Sequence, residues 1–407
     1  MSNYTHVQFI SWELYTGPVG SPAMPAIGWY AGLSDGSPDR RTDALGQCWD
    51  IDARIAFTAD AIAKAEARSD RSTTTLKVFM APEFLYRGAG GAYLHDLIGG
   101  WVKGAPAELG LPAPYNGQWD GLFGGLGALI AKPAYNDWLF VFGTAVSASF
   151  PGARAGNGKY VLNPQAMGEV YNSTLIQRGG TANAAARYVS RKHYKSNIDF
   201  VNWNAAARNQ HSDNRVAPLD PAGVLPLDAL GVSEGGALFQ ITGLNDASGK
   251  AIDFGIEICL DHMVSANSAA NGIARSGRIR GSGRYVKIQL VPSGGMHLVP
   301  DSIRLQPASG ATPRSYAFNC DGLTNLRSDV RGSHTQLWNG SNGNATPPAG
   351  NQLVEASGSA TVAATVVVPL PDIINTTHGA VAAATLWNSG VGAAGAGAVR
   401  LLARHDL

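Results

Sequence analysis

The sequence has few cysteines, almost no net charge and no long apolar run. Its three cysteines, Cys48, Cys259 and Cys320, are too few and too unevenly placed for a disulfide framework. They also lack the paired spacing of a zinc site. Cysteines this sparse point to a reducing compartment. The 31 Lys and Arg residues nearly cancel the 30 Asp and Glu residues, leaving a formal net charge of +1. Nothing in that balance draws the chain to nucleic acid or to an anionic membrane. No stretch reaches the about 18 uninterrupted apolar residues of a membrane span. The opening "MSNYTHVQFISWELYTG" has no basic segment leading into an apolar leader core. These absences predict a cytoplasmic protein that has neither nucleic acid nor membrane as a partner.

Glycine and proline are plentiful, at 50 and 22 residues, and follow no repeat period. Such punctuation gives many loops on one scaffold. With 45% hydrophobic residues the chain has material for a sizeable core. The Gly/Ser/Asn-rich stretch at 338–351, "WNGSNGNATPPAGN", resembles a linker, but apolar runs continue beyond it, so the expectation is a single domain over 1–407.

Short β-like runs recur at 6–11, 76–81, 138–146, 171–177, 186–192, 237–241, 251–259, 286–292, 315–320 and 364–370. Several are apolar on nearly every position, as strands covered on both faces are. Between them, "DIDARIAFTADAIAKAEAR" places Ile51, Ile55, Ala59 and Ile62 on one helical face and acidic residues in its first turn. "GLFGGLGALIAK" repeats the pattern with Leu122, Leu126, Leu129 and Ile130. Strands alternating with helices predict an α/β layered architecture.

Three of the strand ends carry reactive side chains: Glu83 in "VFMAPEFLYRG", Lys192 in "YVSRKHYKSNIDF" and Cys259 in "DFGIEICLDH". A free cysteine at the end of an apolar run is by default a buried core thiol. Glu83 alone reads as a loop acid, and Lys192, beside Arg191, His193 and Lys195, as a solvated strand end. Taken together in this order, the three motifs resemble those of the nitrilase, or carbon–nitrogen hydrolase, superfamily. The segments "EVYNSTLIQRGG", "GKAIDFGIEIC" and "VKIQLVPSGG" add to the likeness, which runs from about residue 6 to about 370. The resemblance implies a four-layer αββα sandwich with the triad at the strand ends, no cofactor and no metal, and a homodimer or higher homo-oligomer. The intervals from Glu83 to Lys192 and from Lys192 to Cys259, 109 and 67 residues, exceed what compact members need. Insertions are therefore placed at about 88–135 and 197–232, as walls of a pocket, and a Gly/Ala-rich extension begins at about 371.

The chemistry is coherent without the family. An amide carbon is a poor electrophile, so cleavage needs a thiolate-like nucleophile, a proton shuttle, and positive charge where the oxyanion forms. Cys259 would attack, Glu83 would serve as base and then acid, and Lys192 with the backbone N–H of Leu260 would hold the oxyanion. The substrate expected is a small amide or carbamoyl compound. The alternatives are an acyltransferase or a nitrilase using the same triad, and a non-catalytic binding or assembly module. Nitrilases usually carry Trp where this chain has Leu260. A second pocket acid is sought between Lys192 and Cys259, with Glu234, Asp228 and Asp199 as candidates, each of which also reads as an ordinary loop acid. His193 and His262 are read as supporting the reactive residues from behind or as purely structural, because nothing gives them metal-ligand spacing. The Gly-rich 87–96 stretch lacks the Lys of a phosphate loop, and "VPSGGM" lacks a nucleophile elbow.

Overall fold

The computed structural model describes residues 2–16, 44–87, 92–149, 152–154, 160–162, 169–192, 234–262, 277–299, 302–307, 314–322, 335–338, 353–355, 362–383, 386 and 397–407. The proposed insertion at 197–232, with Asp199 and Asp228, lies outside the described residues, as do His193 and Lys195.

The structure is mixed α/β, with several sheets and few helices. The elements used below are β1 (His6–Glu13), α1 (Ala44–Arg68), β2 (Thr75–Met80), α2 (Gly121–Ile130), β3 (Trp138–Val141), β4 (Glu169–Arg178), β5 (Arg187–Arg191), β6 (Phe254–Ile256), β7 (Ile288–Ser293), β8 (Tyr316–Asp321), β9 (Val362–Val367) and β10 (Ala398–Asp406). The larger sheet runs β5-β4-β3-β2-β1-β10-β9, with Glu234–Gly235 beyond β5. Its centre, β1-β2-β3, is parallel. The smaller sheet is built on parallel β6-β7-β8.

The pleat sends alternate residues of the parallel strands to opposite faces, and both faces are buried. Val7, Phe9, Leu76, Val78, Leu139 and Val141 enter one apolar cluster together with Phe254, Ile256, Ile288, Leu290 and Phe318 of the smaller sheet. Phe9 sits 5.5 Å from Tyr316 and 5.0 Å from Phe318, ring to ring, so the sheets pack face to face. The opposite set, Trp12, Phe79, Trp138 and Phe140, faces α1 and α2. Phe57 of α1 packs edge-on against Trp12 at 5.6 Å. The outer face of the smaller sheet is covered by Ile279, Leu298, Ile303 and Leu305. Among the described residues, the helical cover there is the single turn Arg278–Gly281.

Three local readings are corrected. The first long helix begins at Ala44, so no acidic residue lies in its first turn. Asp50 and Asp52 lie inside the helix and serve as buried anchors instead. Asp50 takes Arg54 Nε at 2.7 Å and the Tyr93 hydroxyl, and Asp52 takes the Tyr115 hydroxyl at 2.5 Å. The 138–146 run breaks into two strands, Trp138–Val141 and Ala145–Ser149. The 251–259 run keeps only Phe254–Ile256 as strand, because residues 257–259 turn away into the site described below. Beyond these, β10 enters the larger sheet between β1 and β9, a central strand that sequence pattern did not find. No helix among the described residues is long and apolar enough to cross a membrane.

At the end of β1, burial pushes the Glu13 carboxyl up to about 7 against the pull of Arg400, whose Nε lies 3.8 Å away, while the nearby Asp321 charge pushes the same way as burial. Ser11 Oγ donates to it at 2.8 Å. In the unfolded chain this group ionises near its ordinary 4.5, so raising the pH from 4.5 through 7 withdraws stability, in total on the order of 3 kcal/mol. Glu13→Gln is neutral at every pH and keeps an oxygen for Ser11. Its melting temperature relative to the wild type is expected to rise by about 3 °C between pH 4 and pH 8. An unchanged difference across that range would show that the Glu13 carboxyl titrates in the folded protein as it does in the unfolded chain.

Candidate active site

Glu83 follows β2 and Pro82 in a turn held from three directions. Thr16 Oγ1 donates to its carbonyl at 2.5 Å, its own N–H donates to Ser293 O at 3.2 Å, and the N–H of Phe84 donates to Thr144 Oγ1 at 2.9 Å. Ser293 ends β7, so this turn joins the two sheets. Phe84 takes φ 65°, a left-handed conformation that costs a non-glycine residue on the order of 1–2 kcal/mol. The turn leaves no room beside it: a Cβ on Gly294 would stand 2.9 Å from the Phe84 ring and 3.3 Å from Glu83 Oε2.

The turn delivers a fully buried carboxylate to Lys192. Lys192 Nζ lies 2.8 Å from Glu83 Oε1, with the two side chains 2% and 0% exposed. Asn172 supports both groups. Its Nδ2 donates to the same Oε1 at 2.8 Å, and its carbonyl takes the Lys192 N–H at 2.8 Å. This is possible because β4 and β5 are antiparallel, with Arg191 opposite Ser173, which brings the end of β5 alongside Asn172. Lys192 Nζ also lies 5.6 Å from the Phe84 ring centre. Arg87 is buried over the same ring, 4.3 Å from its centre. Lys192 thus places a positive charge directly against the Glu83 carboxylate.

Cys259 begins a single 3-10 turn, Cys259–His262, with Glu257 and Ile258 between it and the end of β6. It is 5% exposed and takes φ 48°, again the left-handed region. Leu260, next in the turn, is partly exposed, and Asp261 is fully buried. Arg278 ties this turn to the lysine strand: its Nη1 lies 3.3 Å from Asp261 Oδ2 and 3.0 Å from the carbonyl of Arg191, the residue before Lys192. Of the pocket acids considered, Glu234 lies in a short strand that pairs with β5 opposite Val189.

His262 has both ring nitrogens committed to protein groups. Nδ1 lies 2.7 Å from Glu257 Oε2, and Nε2 accepts from the N–H of Val299 at 3.0 Å. Residues 92–135, where the first insertion was placed from sequence, make contacts of two kinds. Tyr93–Leu94 pairs with the Ala145–Ser149 strand, and His95 Nδ1 lies 3.0 Å from Ser147 Oγ, with its ring 4.9 Å from that of Tyr171. Farther on, Trp101, Tyr115 and Trp119 pack on one another, and Tyr115 reaches Asp52 of α1.

Thr16, Arg278 and Glu257 were not singled out from sequence, and Asn172 entered only within the segment "EVYNSTLIQRGG". Glu257 does carry a signal, a lone polar residue inside a strand-like apolar run.

No protein-family model and no curated protein matches this chain. Among solved structures it is similar to a crystal structure of an N-terminal amidase with an Asn-Glu-Ala peptide, at 13% identity and a TM-score of 0.32, and to a crystal structure of N-terminal amidase at 12% identity and 0.29. Each alignment covers 71% of this chain and 48% of the other, so this chain spans about half the length of the structures it matches.

Proposed function

We propose that the chain is a thiol-dependent hydrolase of a non-peptide carbon–nitrogen bond, in a small linear amide or carbamoyl compound, built as an αββα sandwich that pairs into a homodimer. The observation that carries the reading is the buried Glu83–Lys192 contact, held by Asn172 at the strand ends, with Arg278 linking the lysine strand to the Cys259 turn. A buried carboxylate and ammonium in contact are expensive to assemble and form a natural proton-transfer and oxyanion unit.

In this mechanism Glu83 takes the thiol proton as Cys259 Sγ bonds to the carbonyl carbon, and the oxygen becomes an oxyanion held by Lys192 Nζ and the Leu260 N–H. Protonated Glu83 then passes its proton to the nitrogen as the C–N bond breaks, and the amine or ammonia leaves. Water gives a proton to Glu83 and attacks the thioester carbon. The C–S bond breaks, the proton returns to sulfur, and the acid is released.

The test is a screen of amides, carbamoyl compounds and nitriles for ammonia release, with and without amine acceptors, alongside mass spectrometry for an acyl adduct on Cys259. Acid product and a Cys259 adduct are expected. Product formed only with an amine acceptor would make the protein an acyltransferase, and an inert Cys259 with no turnover would make it a binding module. Lys192→Met is expected to lower kcat/KM by about 10² to 10³, the scale for removal of one oxyanion donor. A loss under about tenfold in steady-state assays would assign the oxyanion to other groups.

A further inference from the structure

Two residues that bracket Cys259 converge on one point. Glu257 precedes it by two positions and His262 follows it by three, and both are fully buried. The Glu257 carboxylate accepts from the N–H of Ile279 at 2.8 Å on Oε1, and on Oε2 it faces His262 Nδ1 at 2.7 Å and Gln289 Nε2 at 2.8 Å. The orientation of each donor is fixed elsewhere. Gln289 Oε1 takes the N–H of Arg304 at 2.9 Å, so its amide nitrogen must face Glu257. His262 Nε2 takes the N–H of Val299 at 3.0 Å, so the ring hydrogen sits on Nδ1 and points to Glu257. The Glu257 N–H in turn donates to Leu290 O of β7 at 3.0 Å.

This geometry closes a loop over the turn: side chains from before and after Cys259 are joined to each other and to β7, Val299, Arg304 and the Arg278–Gly281 helix. Between them Cys259 holds φ 48°, a conformation an L-residue abandons unless its surroundings enforce it. We propose that Glu257 and His262 are positioning residues that hold Cys259 in the left-handed conformation, and with it the direction of Sγ and of the Leu260 N–H. The inference rests on Cys259 being the nucleophile. Loosening the clamp lets residue 259 relax to negative φ, which turns the thiol and the amide away from a bound carbonyl while leaving the substrate's other contacts in place. The expected signature is a fall in kcat with little change in KM.

His262→Leu removes both bonds of the ring. His262→Gln carries an amide that can donate to Glu257 and accept from Val299. On the substrate found by the screen, His262→Leu is expected to lower kcat and the rate of Cys259 alkylation by iodoacetamide 10- to 100-fold, with KM within about threefold, and His262→Gln to recover most of both losses. Glu257→Gln sets an N–H against fixed donors and is expected to behave like His262→Leu. If the clamp only stabilises the fold, these variants melt lower, yet their folded fraction alkylates and turns over at wild-type rates, and the proposal is overturned. Should His262→Leu not fold, Gln289→Met removes one donor to Glu257 and carries the same readouts, with a 3- to 10-fold loss expected. Cys259→Ser separates the two readings. If that variant turns over normally, the functional reading fails. If it is inactive while the His262 and Glu257 variants match the wild type, the clamp alone fails.

Discussion

Cys259→Ser is expected to fold as the wild type does and to lose turnover by a factor on the order of 10⁵ to 10⁶, the scale on which removal of a covalent nucleophile silences a catalytic unit. The change is small in volume, and the left-handed backbone at this residue is imposed by its surroundings, so packing has little reason to respond. A serine hydroxyl is a far weaker nucleophile at neutral pH and gains no dedicated base beyond the one a thiol already uses. Neither remaining cysteine is placed to substitute. Cys48 is buried in the helix-facing core. Cys320 donates to Trp12 O at 3.4 Å, and burial, with the charges of Glu13 and Asp321 nearby, raises its thiol well above the ordinary range. Electrophile labelling of the native protein should therefore concentrate on Cys259 and vanish in the variant. Wild-type turnover by Cys259→Ser, measured with ammonia release, would end the thiol mechanism for this chain.

What the sequence made legible were features that depend on near neighbours. Runs such as "LKVFMA" and "VKIQLVP" are apolar on both faces and became buried parallel strands. Glu83 and Lys192 were picked out as strand-end residues, and the structure places both there in contact. What it concealed depends on distant partners. Asp50 and Asp52 looked like dipole-complementing acids because their partners Tyr93 and Tyr115 lie 43 and 63 residues downstream. Glu257 sat unnoticed in an apolar run because the groups that justify burying it, Ile279 and Gln289, lie 22 and 32 residues away. Strand β10 escaped because "AVRLLARHD" follows a Gly/Ala-rich stretch and its alternation is broken at Leu401–Leu402, the point at which the register with β1 and β9 shifts. A bulge moves side chains to the other face, and no period-2 pattern survives it.

Glu83→Gln separates the two duties of this carboxylate. As the amide it keeps the shape and one oxygen for Asn172 and Lys192, but it neither takes up nor returns a proton. The expected loss in kcat/KM is about 10² to 10⁴, the usual worth of general acid–base catalysis. The same change removes the negative charge 2.8 Å from a buried ammonium, and breaking one side of such a pair costs on the order of 3–5 kcal/mol. A fall in melting temperature is therefore expected alongside the loss of rate, and the rate alone does not separate a missing proton shuttle from a loosened site. The double variant Glu83→Gln/Lys192→Met does separate them. It removes both charges and is expected to regain much of the lost stability in denaturant unfolding, because no uncompensated ion remains, while its turnover stays at or below that of Glu83→Gln. A recovery of activity that tracked the recovery of stability would show that the carboxylate serves only to neutralise Lys192. A rate loss under about tenfold in Glu83→Gln itself would move the proton transfer to another acid, with Glu234, beside β5, the first to substitute.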